Sequence, residues 1–119
     1  MWLVLKRISH YPIFANMRES DIQHQIIKFL EAAGWYPVKI IQSNKNGWPD
    51  LQAHLAGHTI FIEVKSETGK LSELQKYRHK QLTQFGFHVI TTNNLNHFTH
   101  EFLRISTDLF NERHLIHPN

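Results

Sequence analysis

Cysteine is absent from this chain of 119 residues. That excludes a disulfide framework, a thiol nucleophile and a thiolate zinc site, and it fits a reducing cytoplasm. Long apolar runs are absent too. The opening run Trp2 to Leu5 falls far short of the roughly 20 residues a bilayer-spanning helix needs. It has no basic stretch before it and no small-residue cleavage site after it, so it does not read as a signal peptide. The expectation is a cytoplasmic protein with no membrane partner. Internal repeats and low-complexity tracts are missing as well.

What is present supports one folded unit. The length allows one compact domain, and a hydrophobic fraction of 41% is enough for a core. The net charge of +3 and the isoelectric point near 9.3 permit a polyanionic partner without demanding one. Ten histidines invite a test for zinc. His97 and His100, and again His114 and His117, stand three apart, but no H-E-x-x-H motif supplies the rest of a ligand set.

Residues 1–16 are an extension that reads either as upstream of a start at Met17 or as a short strand or apolar patch around Trp2 to Leu5. A helix is expected from Met17 to Ala33, opened by an Asn16–Glu19 capping box, with Ile22, Ile26, Phe29 and Leu30 on one face and Gly34 ending it. Trp35 to Gln42 reads as a strand, followed by a polar loop to Pro49. Asp50 to Leu55 and Thr59 to Lys65 read as an antiparallel hairpin around Ala56-Gly57-His58. After a second polar loop, Ser72 and Gln75 make a capping box for a helix to Phe85. Phe87 to Thr92 is a fourth strand, and Leu95 to Arg104 a final helix. The expected order is α-β-β-β-α-β-α, an α/β fold with a mixed sheet of about four strands flanked by helices. The domain is placed at 17–105, with 106–119 a weakly structured tail.

The chemistry concentrates between Gly47 and Gln75. Glu63 and Lys65, two apart on an apolar strand, point to one face about 6.6 Å apart, while Ile62 and Val64 point to the other. Asp50 opens the partner strand, and antiparallel pairing brings it to the Lys65 end. Two carboxylates in proximity favour a divalent cation between them. Hard oxygen ligands suit Mg²⁺ or Mn²⁺, with the Val64 carbonyl as a further candidate ligand. A cation so held would polarise a phosphodiester, and Lys65 could orient or deprotonate the attacking water. An E-x-K pair alone is usually a solvated strand face. Pro49-Asp50, a hairpin-length gap and an apolar strand with Glu-x-Lys form a sharper pattern.

At these residues the chain resembles the PD-(D/E)xK nuclease superfamily, whose core is restriction-endonuclease-like. More narrowly it resembles the VRR-NUC family, the virus-type replication-repair nucleases. That likeness rests on Gly47-x-Pro49-Asp50-Leu51, Phe61-Ile62-Glu63-Val64-Lys65, Gly69-Lys70-Leu71-Ser72-x-x-Gln75 and an N-terminal helix carrying Glu19 and Gln23, over residues 17–92. The resemblance implies metal-dependent DNA cleavage. It also implies site roles for Glu19, Gln23 and Gln75, although capping alone explains Glu19 and Gln75. Short stand-alone members resemble Holliday-junction resolvases that act as homodimers, so branched DNA, a second copy of the chain and a phage or mobile-element setting are expected. No small-molecule cofactor is expected. Lys45, Lys70, Lys76, Arg78 and Lys80 are candidate backbone contacts, against the plainer reading of a solvated helix face. Trp48 is expected to pack rather than stack on a base. Trp2, Leu3, Leu5, Trp35 and Tyr36 are the apolar material for a dimer interface. The competing readings are a non-catalytic nucleic-acid-binding or assembly subunit, and a restriction or defence nuclease.

Overall fold

The computed structural model describes the backbone of residues 17–116 and the side chains of 17–111. Its elements, in chain order, are α1 (Glu19–Ala32), β1 (Tyr36–Lys39), β2 (Leu51–Leu55), β3 (His58–Val64), α2 (Glu73–Gln84), β4 (His88–Thr92) and α3 (Leu95–Ile116). The expected order holds. The strands form one sheet in the order β1-β2-β3-β4, with the first three antiparallel and β4 parallel to β3 through the α2 crossover.

One face of the sheet is sealed by apolar packing. Leu51, Ala53, Ile60, Ile62, Val64 and Ile90 meet Ile22, Ile26, Phe29 and Leu30 of α1 and Leu95, Phe98, Phe102 and Ile105 of α3. Phe102 is the centre of an aromatic group. It meets Phe29 edge-on at 5.5 Å, Trp35 at 5.2 Å, and stacks on Phe98 at 5.5 Å. The offset and edge-on contacts are those that the ring quadrupole favours. The opposite face is covered by α2, which buries only His79 and Leu82. Below α2, Trp48 and Phe87 each pack edge-on against Phe61 at 5.3 Å, so Trp48 packs as expected.

Strands β2, β3 and β4 and helix α2 differ from expectation by one residue, with His58 opening β3 instead of lying in the turn. Three boundaries differ by more. Helix α1 opens at Glu19 after Arg18, which makes no side-chain cap; Asn16 lies outside the described residues. Strand β1 stops at Lys39, because Ile40 onward turns into the loop that leads to Asp50. Helix α3 runs to Ile116 rather than ending at Arg104, since Phe98, Phe102, Ile105 and Leu109 keep a helical apolar stripe against the core. The segment read as a tail therefore begins as helix. Among the described residues no helix is long and apolar enough to cross a membrane.

Candidate active site

The β2–β3 hairpin sets the geometry. Its two-residue turn, Ala56-Gly57, has positive φ at both positions, 50° and 82°, which matches the right-handed twist of the flanking strands. The register pairs Leu51 with Ile62. Asp50, one residue before, therefore falls opposite Glu63. One Asp50 carboxylate oxygen accepts from the backbone N–H of Val64 at 2.8 Å, which fixes the side chain across the strand ends.

The loop before Asp50 is held from two sides. Gly47 has φ +79°, and a Cβ there would come within 2.8 Å of the Leu74 carbonyl oxygen. Only glycine satisfies both the conformation and the close approach. The Arg78 guanidinium donates to the Asn46 carbonyl at 3.0 Å and to Gln81 at 2.7 Å. Arg78, a candidate DNA contact from sequence, is thus engaged in holding this loop.

Asp50 and Glu63 meet here, and Glu19 approaches from α1. Glu63 is 1% exposed, and its Oε1 accepts from His79 Nε2 at 3.2 Å. Glu19 reaches across from α1 to accept from the backbone N–H of Ser66 at 3.1 Å, just past Lys65. It does not act as the third residue of a capping box, because it is the first residue of its helix. Asp50 is pushed up to about 7, chiefly by burial, then by the neighbouring Glu63 carboxyl and more weakly by Glu19, against the pull of the Val64 N–H. A carboxyl so raised marks a place where negative charge lacks a counterion.

Gln23 lies one turn beyond Glu19 on α1, and its Oε1 is buried with no hydrogen-bond partner. A buried orphan acceptor calls for a water or ion to satisfy it. Among the described residues no three His, Asp or Glu side chains close into a ready-made cluster. Mg²⁺ needs only one or two carboxylates and completes its shell with water and phosphate. The donor set of Asp50, Glu63 and the Val64 carbonyl fits such an ion.

Two hollows flank these residues. One, of about 770 Å³, is lined by Lys65, Lys70, Lys76 and, across from them, Thr92, Asn93 and His97. The other, of about 320 Å³, lies along the loop from Ile40 to Asp50 and includes Lys45. Lys76 also pairs with Glu73 at 3.2 Å, an exposed contact of little energetic weight. Lys80 is exposed on α2 away from the lining of either hollow. Gln75 closes the capping box with Ser72, its Oε1 accepting from the Ser72 N–H at 2.9 Å.

His79 was not among the residues singled out from sequence. Its signal was there: Gln75, His79 and Leu82 share the inward face of α2 at helical spacing, and a polar residue in that stripe asks for a partner.

Solved structures share this fold, in which two acids and a lysine stand at the end of a central hairpin. A solved structure described as a VRR_NUC domain is 28% identical, with a TM-score of 0.59 over 64% of this chain and 84% of its own. A second, a VRR_NUC domain protein, shares 16% identity with a TM-score of 0.65 over 76% of this chain and 89% of its own, a likeness of fold. No protein-family model and no curated protein matches the chain. These likenesses, with the architecture, support a VRR-NUC domain.

Proposed function

We propose that this chain is a Mg²⁺-dependent deoxyribonuclease that also accepts Mn²⁺ and hydrolyses phosphodiester bonds at Asp50, Glu63 and Lys65. The observation that carries the reading is the pairing of Asp50 with Glu63 at one hairpin end beside Lys65. Asp50, Glu63 and the Val64 carbonyl would hold a divalent cation, which when bound would supply Lewis-acid polarisation of the phosphodiester. Lys65 orients the attacking water, accepts or relays its proton and screens the charge that develops on phosphorus oxygens. Glu19 and Gln23 border the site from α1, and Gln75 from the start of α2. Lys70, Lys76 and Lys45 line hollows on either side, so a strand can cross the site with its phosphates on lysine at both ends.

DNA is the substrate class, and branched DNA the preferred form. A junction has two-fold symmetry, and a C₂ homodimer would present paired sites to it. Trp35 does not serve that interface, since it is buried against Phe102. Tyr36 remains, 71% exposed on edge strand β1, while Trp2, Leu3 and Leu5 lie outside the described residues. A non-catalytic subunit is disfavoured because Asp50, Glu63 and Lys65 are all in place.

Cleavage of plasmid, flap and four-way-junction DNA in Mg²⁺, Mn²⁺ or chelator tests the reading. Metal-dependent cutting with a preference for the junction is expected. No cutting of any substrate in either metal would overturn the enzyme, and equal cutting of all three would remove the preference. Light scattering at micromolar concentration tests the pairing, and a mass near 14.1 kDa would remove it.

A further inference from the structure

Helix α2 carries twelve residues and buries two of them, Leu82 and His79. A leucine inside needs no explanation, but a buried histidine does. His79 is 9% exposed, and its Nε2 lies 3.2 Å from Oε1 of Glu63, itself 1% exposed. An ionised carboxylate only accepts, so Nε2 carries the proton and donates. Glu63 has three rotatable side-chain bonds, and without a partner its carboxylate could turn about the last of them. With Oε1 engaged by a group on α2, the second oxygen is left for the side where Asp50 lies. The Asp50 carboxylate is fixed in the same manner, one oxygen held by the Val64 N–H.

We propose that His79 is a positioning residue for Glu63: its Nε2–H holds one carboxylate oxygen so that the other faces the cation site. The inference rests on the reading that Glu63 holds a cation. Partners of ligating carboxylates act by orienting the ligand, and their loss typically costs about 10- to 100-fold in metal affinity. A role in packing alone would be met as well by leucine.

Calorimetric titration of Mn²⁺ into the full chain tests this, alongside a thermal melt in chelator. His79→Leu should weaken Mn²⁺ binding by about 10- to 100-fold. His79→Gln, whose amide nitrogen can take the place of Nε2, should stay close to the unaltered chain. Unchanged or tighter binding in His79→Leu would overturn the proposal, as would a His79→Gln as weak as His79→Leu. Should His79→Leu not fold, His79→Gln is compared with His79→Asn, one methylene shorter; equal affinities would overturn it. An unaltered chain that takes up no Mn²⁺ would remove the cation reading itself, and this inference with it. Normal uptake that ignores His79 removes only the inference.

Discussion

The two faces of the sheet are built on opposite principles. Toward α1 and α3, side chains such as Phe98, Phe102, Ile60 and Ile62 are fully buried, apolar and tightly interlocked. Toward α2, the same strand β3 presents Glu63 to a histidine, and Asp50 beside it is held near neutral-pH titration by burial and a like-charged neighbour. One face stabilises the fold, while the other holds charge in a place that opposes folding. The apolar burial on the first face offsets that cost.

Asp50→Asn should separate the two most sharply. It should abolish Mg²⁺-dependent cleavage, yet its amide oxygen can still accept from Val64 N–H, and its NH₂ can donate to Glu63. The linkage has a defined sign. Asp50 titrates near 7 in the folded chain against 3.8 as a free group. The folded state thus binds more protons between those values, and its stability falls as pH rises through that window. Metal-free Asp50→Asn should therefore melt a few degrees above the parent at pH 8 and close to it at pH 4. A lower melting temperature at pH 8, or retained cleavage, would refute this account of the face.

Phe102→Ala attacks the other face. Removing a buried phenylalanine costs about 3–5 kcal/mol, a large part of the stability expected for a domain of this size. Chemical denaturation should show that loss, and a change near zero would mean that the aromatic group is not the centre of the core. Lys65→Ala should cut the cleavage rate at least about 100-fold, the low end for positioned acid–base catalysis. Mn²⁺ should still bind and the melt should hardly move; lost binding with an unchanged rate at saturating metal would reverse the assigned roles. The smallest effect is far from both faces. Ala56 takes φ 50° in a turn that favours Asn-Gly, so Ala56→Asn should stabilise by on the order of 0.5–1 kcal/mol. A destabilisation in the same denaturation assay would contradict the turn assignment.

The apolar face could be read from sequence because periodicity reports it directly: Ile22, Ile26, Phe29 and Leu30 recur at helical spacing, and β3 alternates around Glu63. The hairpin followed from its turn, and with it the meeting of Asp50 and Glu63. Other features have two meanings in one dimension. An acid near a helix start can cap or reach away, and only the fold shows Glu19 bound to Ser66. An aromatic after a helix can seal a core or an interface, and Trp35 seals the core. The polar residues Thr107, Asp108 and Asn111 masked the continuing stripe of Ile105 and Leu109, which carried α3 past its expected end. His79 needed its partner, sixteen residues earlier on another element, to become meaningful.

Helix α2 touches both acids of the site indirectly, through the Asn46–Gly47 loop and through His79. It is also the helix least anchored by apolar burial, with Leu82 its one buried hydrophobic residue. Local opening begins where few apolar contacts must be broken. Its amide hydrogens should therefore exchange with solvent ahead of those in α1 and the first turns of α3. Each such opening would release the Asp50 loop and the Glu63 carboxylate together while the sheet stays folded. The ability to grip a cation would then fail, on warming or in mild denaturant, before the domain as a whole unfolds.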